Sequence, residues 1–474
     1  AHTYIAADNW SPTGKVTIKS GSKLQTGNFT ISVGGDVDND GEIEFTDNGT
    51  FDANAGFLSD GTGTITFHTL AGSGGTLQLA ATDPDLGSSF TANEGTVEYD
   101  LSTGGTTQDI DEVTYNNLTI IGSAANDVKK VNYATLDVDG DLTVTSGTLD
   151  LANSGGVSEN NTIDLEGDFS MAAGAFDPGT SDLHNVAGIW NETGGVFQPT
   201  DGTFTFSGTG GKTIVQNAGN NFLDLTIASG GTDKISANSP ISVGGVFTNT
   251  NGTFDTEGNT VTVTGATNID GGILEIAAGI FDANDFNANG ATVTFTGDGT
   301  LKLGGNSGGT PDLGTLNDDA GLANISKGTV IYDNQGGDQD IYRNATRGYF
   351  NLEIDNDGQI ARMNNSAELF VFGDLTITTG NLTSANFDDK LTLVGDFLMN
   401  GGEFVPGTCF NHEVSGSWND AGGTFAPGGG TIILDGAGTT QITSIAGNSF
   451  NILTIDGGTH EAQSTITVSN RLNI

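Results

Sequence analysis

Residues 36–47, DVDNDGEIEFTD, hold the densest set of potential ligands in the chain. Asp36, Asp38 and Asp40 stand at positions 1, 3 and 5 of this stretch, Gly41 at 6, Ile43 at 8 and Asp47 at 12. Calcium takes several oxygens at once, and carboxylates spaced this way around a tight glycine turn can wrap a loop about the ion. The plainer alternative is a corner between strands, because ISVGGVFTNTNGTF at 241–254 occupies the place of ISVGGDVDNDGEIEF at 31–45 with almost no acid. Other candidates are fewer. His184 and His412 each sit six residues before a tryptophan, Trp190 and Trp418, in matching segments. That repetition points to a structural corner, and the five histidines show no HExxH or paired-ligand spacing. Cys409 aligns with a stretch lacking cysteine, DPGTSDLH, and reads as a small apolar filler. Arg343 and Arg347 in YRNATRGYF suit either a small anion or sugar site or a solvated loop.

Over its twelve residues the acidic stretch resembles EF-hand and dockerin calcium loops. That resemblance implies side-chain ligation by Asp36, Asp38, Asp40 and Asp47, and carbonyl ligation by Glu42. The stretch departs from the EF-hand pattern in ending on Asp rather than Glu, and no helical spacing flanks it.

The elements that must position these residues are repeats. Gly202–Ile227 (GTFTFSGTGGKTIVQNAGNNFLDLTI) is echoed at Gly95–Ile120, Gly328–Ile354 and Gly430–Ile455. Each copy has an alternating strand, a glycine-rich turn, a lone Ile, a polar loop opening on an aromatic residue or Leu, and a second alternating strand. Between them, residues 140–199 (GDLTVTSGTLDL, LEGDFSMAAGAFDPG, HNVAGIWNETGGVFQP) match 373–427 (GDLTITTGNLTS, LVGDFLMNGGEFVPG, HEVSGSWNDAGGTFAP). The order is A-B-A-B, with Ile120 to Ile354 spanning 234 positions and Ile227 to Ile455 spanning 228. The expectation is a tandem duplication of a unit of roughly 230 residues, and periodicity of this kind takes precedence over a count of globular domains. Apolar strand pairs fall about 20 residues apart, the coil length of a β-solenoid. Phe204 and Phe206 should point inward and Thr203 and Thr205 outward, with Gly147 and the recurring NGT and GGT at corners.

The reading is therefore all-β: an elongated parallel β-helix of about 20-residue coils, with about 22 coils making a rod on the order of 100 Å long. Residues 1–30 match the repeat poorly and read as an N-terminal cap or assembly segment. Residues 31–240 form the first unit and 241–474 the second. Ser464–Ile474 (STITVSNRLNI) aligns with the first strand of a unit at 239–250, without an evident polar cap. Either the chain was cut from a longer array or that edge pairs with another subunit.

Composition narrows the function classes. With 59 acidic and 14 basic residues, a net charge of −45 should repel nucleic acid and anionic membranes and attract cations. No stretch approaches the ~20 apolar residues of a membrane span, and one cysteine allows no intrachain disulfide. The absence of an initiator Met fits a secreted product after removal of a signal peptide, and fits a trimmed chain equally. Sequons such as those at Asn28, Asn48, Asn117, Asn191, Asn251, Asn344 and Asn381 would invite glycosylation outside the cell, although NGT and NLT also spell corner-then-strand here.

The repeats resemble the long β-solenoid arrays of surface proteins: haemagglutinin-like adhesins and autotransporter passengers. This resemblance of pattern covers most of residues 31–474, and it implies an exported, non-enzymatic structural or adhesive protein. The first expectation is a subunit of an extracellular filament, sheath or surface layer that joins copies of itself head to tail by strand pairing, with Ca2+ as its one candidate cofactor. The alternatives are an adhesin stalk that binds surface glycans or cells, and a polysaccharide-degrading β-helix enzyme. Pectinases and lyases of that architecture cluster Asp with Lys or Arg on one face, and nothing in this sequence resembles their motifs.

Overall fold

Alternating apolar and hydroxyl side chains, interrupted by glycine corners about every 20 residues, favour extended backbone stacked turn upon turn. The computed structural model has this form. It describes residues 2–59, 62–124, 126–152, 161–181, 183–197, 199–305, 310–318, 325–342, 348–363, 368–384, 389–408 and 411–474. About half of the chain, 51%, is strand, no helix occurs among the described residues, and the parallel sheets stack as a β-solenoid of about 21-residue turns. Among these residues no helix is long and apolar enough to cross a membrane. The chain divides into two compact units, Ala1–Ile235 and Ser236–Ile474.

In the first unit, register follows the repeat. Thr30, Thr50, Thr76 and Thr96 face one another on successive turns, with Asn117 next. Behind them runs an inward column of Ile31, Phe51, Leu77, Val97, Leu118, Leu142, Phe169 and Trp190, all buried. Each large side chain so enclosed contributes roughly 1.5–3 kcal/mol. Phe204 and Phe206 point inward and Thr203 and Thr205 outward, as the alternation requires. The first thirty residues also lie in register with the adjoining turns: His2–Ile5 pairs with Ser22–Gln25, and Val16–Ile18 with Val37–Asn39.

The second unit shows the same construction. Leu352, Leu375, Phe397, Trp418 and Ile442 form an inward column, and the Trp418 ring stacks on Phe397 at 4.2 Å. Trp190 stacks on Phe169 at 4.0 Å in the first unit.

The Gly-Asp corners explain themselves at atomic level. Asn117 Oδ1 accepts the Asp141 N–H at 2.9 Å, Asp141 Oδ1 that of Asp168 at 2.9 Å, and Asp168 Oδ1 that of Ile189 at 2.8 Å. Asn351, Asp374 and Asp396 do the same for Asp374, Asp396 and Ser417 at 2.9, 2.9 and 2.7 Å. Each corner carboxylate thus satisfies a backbone donor of the next turn. The glycines in front of these residues pack so closely that a Cβ on Gly167 would land on the Gly140 carbonyl, and one on Gly416 on that of Gly395.

Candidate functional site

Residues 36–47 run through one corner and two short strands, Val37–Asn39 and Glu42–Glu44. Within them Val37, Asn39, Ile43 and Phe45 are buried and the carboxylates face outward. Asp38 is ion-paired with Lys15 at 2.8 Å, and Lys23 bridges Glu42 at 2.9 Å and Glu44 at 3.0 Å. Asp36 Oδ1 accepts the Gly56 N–H at 3.1 Å, and Asp47 Oδ1 that of Asn48 at 3.0 Å. The Asp40 carbonyl accepts the Thr62 hydroxyl at 2.9 Å. Asp36, Asp38, Asp40, Glu42 and Asp47 therefore serve separate partners, and among the described residues no group of three His, Cys, Asp or Glu side chains able to hold a metal ion occurs.

The two histidines differ from the expected corner. His184 and His412 lie inside strands, His184–Val186 and His412–Val414, facing inward and fully buried. The reason is register: His184 is opposite Phe204 and stacks on its ring at 4.5 Å. Nδ1 accepts the Ile163 N–H at 3.3 Å, and in His412 that of Leu391 at 3.2 Å. Burial pushes both down to about 4, so both rings are neutral at physiological pH. Cys409, Arg343 and Arg347 lie outside the described residues.

Several buried polar groups escaped sequence reading. Tyr99 and Tyr115 share a hydroxyl contact of 2.7 Å, as do Tyr332 and Tyr349 at 2.8 Å. Gln108 Nε2 bridges the carbonyls of Leu79 and Ala81 at 2.6 and 2.8 Å, and Gln339 those of Leu303 and Gly305 at 2.9 and 2.6 Å. These contacts give the recurring YD…QDI…Y letters a structural role, since each Gln bridge ties neighbouring turns together and each Tyr pair links two sides of one turn. Lys129 is fully buried, opposite Gln108 in register, and donates to the Leu101 carbonyl at 2.6 Å. Burial holds its ammonium below the usual range against the pull of Asp127 and Asp100. Asp100 itself is raised to about 6 by burial, with Asp52 and Glu98 adding to the effect. Alternation was the available signal, because it puts Lys129 on the same face as Val131 in VKKV.

A hollow of about 590 Å3 lies beside His2–Ile5 and is lined by Tyr4, Trp10, Val16, Ile18, Lys23 and Leu24 among others. Tyr4 is 57% exposed and its ring lies 6.1 Å from that of Trp10. Ile5 is 62% exposed. Among the described residues His2–Ile5 pairs on one side only, with Ser22–Gln25. Among the described residues Val468–Asn473 likewise pairs only with Phe450–Ile455, and Leu472 there is 52% exposed. The chain matches no family model, and it is similar to no curated protein and no solved structure.

Proposed function

We propose that this chain is a non-enzymatic structural subunit of an extracellular filament, sheath or surface layer, and that copies join head to tail by pairing of strand edges. The observation that carries the reading is the stacking of parallel strands turn upon turn, in which each turn offers its neighbour a strand edge. Such an edge is a template for another strand. The −45 charge supports an extracellular place in saline surroundings, where screening relieves self-repulsion. The same reading takes the two units as copies of one ancestor, because the Tyr99/Tyr115, Gln108, His184, Trp190 and Asp141/Asp168 arrangements reappear at Tyr332/Tyr349, Gln339, His412, Trp418 and Asp374/Asp396. It also keeps the kinship with adhesin and passenger arrays, as shared construction.

Sedimentation velocity of wild type and Thr3→Pro tests the joint. The Ala6 N–H donates to Gln25 at 2.9 Å, so by alternation the Thr3 and Ile5 N–H groups face the free side, and proline at 3 removes a donor there. Wild type should form concentration-dependent polymers and the variant should stay small. Equal polymerisation would move the joint elsewhere. A wild type that stays single at all concentrations would remove the filament and favour a stalk.

A further inference from the structure

Glu192 occupies a position that Val, Ala, Leu, Tyr, Ile and Met side chains fill on the preceding turns, while the following turn brings Gln216 alongside. Its inward column reads Val33, Ala53, Leu79, Tyr99, Ile120, Val144, Met171, Glu192, and each member is fully buried. Oε1 accepts a short hydrogen bond from Asn220 Nδ2. Oε2 is enclosed with no hydrogen-bond partner among the described residues. Asn220 Nδ2 also reaches the Gly195 carbonyl at 3.2 Å, as does Asn217 Nδ2 at 3.2 Å. The side chain thus fastens the strand Trp190–Glu192 to the loop at 216–222 of the following turn, whose Phe222 ring packs 5.5 Å from Trp190.

Among the described residues no cation offsets a charge here. The strand on one side, Phe169–Met171, presents Met171, and the strand on the other, Lys212–Val215, places Ile214 opposite Trp190, with its Lys212 two residues further back. Gln216, Asn217 and Asn220 are neutral. The second unit holds a shorter acid in a different way: Asp420 Oδ2 accepts the Trp418 indole N–H at 3.1 Å, and Asn448 turns to the Asp420 backbone carbonyl at 3.2 Å.

We propose that Glu192 makes this turn a pH-gated latch: the protonated carboxyl closes it onto the Asn220 loop, and loss of the proton opens it. A buried carboxylate with no cation beside it is strongly disfavoured, whereas the neutral acid has less to lose by burial. Burial accordingly pushes the carboxyl up to about 7, against the pull of the Asn220, Trp190 and Asn217 donors. Because the closed-state value lies above the ordinary one, the latch is tight below the ordinary carboxyl range and loosens as pH rises to about 7. The inference is independent of polymer formation.

Hydrogen exchange of the peptide covering 187–222, in full-length wild type and Glu192→Gln, reads the opening directly. The ratio of opening in wild type to that in the variant should grow from near unity at about pH 4.5 to on the order of 100-fold at about pH 8. His184 titrates in both chains and cancels from the ratio. A ratio that stays constant across this range overturns the latch. Glu192→Met, which copies the Met171 of the preceding turn, replaces Gln if that variant does not fold, and the same ratio decides.

Discussion

His412 offers a sharp quantitative test of the core. Its ring is fully buried, accepts one backbone N–H, and leaves Nε2 without a partner. Burial lowers it from 6.5 to about 4, with the Pro406 carbonyl and Asp389 opposing the shift and Lys390 adding to it. The unfolded chain takes up a proton near 6.5 and the folded chain only near 4. Stability from this residue is therefore complete above about pH 6.5 and lost as pH falls to about 4, by up to about 3 kcal/mol. His412→Asn keeps an acceptor for the Leu391 N–H and removes the titration. Its smaller side chain should cost about 1–3 kcal/mol at neutral pH. Urea midpoints followed by tryptophan fluorescence, taken from about pH 7.5 to about pH 4, should show the wild-type advantage shrinking across that window. Relief of the −45 self-repulsion is common to both chains and drops out of the comparison. A wild-type advantage that does not change with pH would refute the assignment of a buried neutral histidine.

Gly416→Ala should cost about 1–3 kcal/mol because its Cβ would strike the Gly395 carbonyl. Gly438→Ala meets nothing within 4 Å and should fall within about 0.5 kcal/mol of wild type; urea midpoints read both. With Lys15 and Lys23 already on Asp38 and Glu42, about 1 mM Ca2+ should raise the Tm no more than an ionic-strength-matched sodium salt. A Tm rise specific to calcium would contradict this and point to ligation by the acidic stretch.

Strand alternation was legible because it depends on nearest neighbours: Phe204 and Phe206 are buried, and Gly147 takes a φ of 77° at its corner. The acidic stretch reads two ways, because carboxylates at positions 1, 3 and 5 of a loop have the same spacing as the outer face of a strand. Only the partners, Lys15 and Lys23 from neighbouring turns, separate the two. His184 looked like a corner residue because polarity suggests exposure, and Glu192 drew no notice. Their alternation with Val186 and Trp190 places them inward. The Asp141 and Asp168 ladder showed in sequence as a repeated motif, but its cause is a backbone donor 27 or 21 residues away, which local pattern cannot supply.

Negative-stain electron microscopy of the purified full-length chain at physiological salt, over a range of concentrations, tests the central claim most directly. The account predicts continuous filaments or sheets that lengthen with concentration and shorten in Thr3→Pro. Single particles at every concentration, unchanged by the substitution, would contradict it.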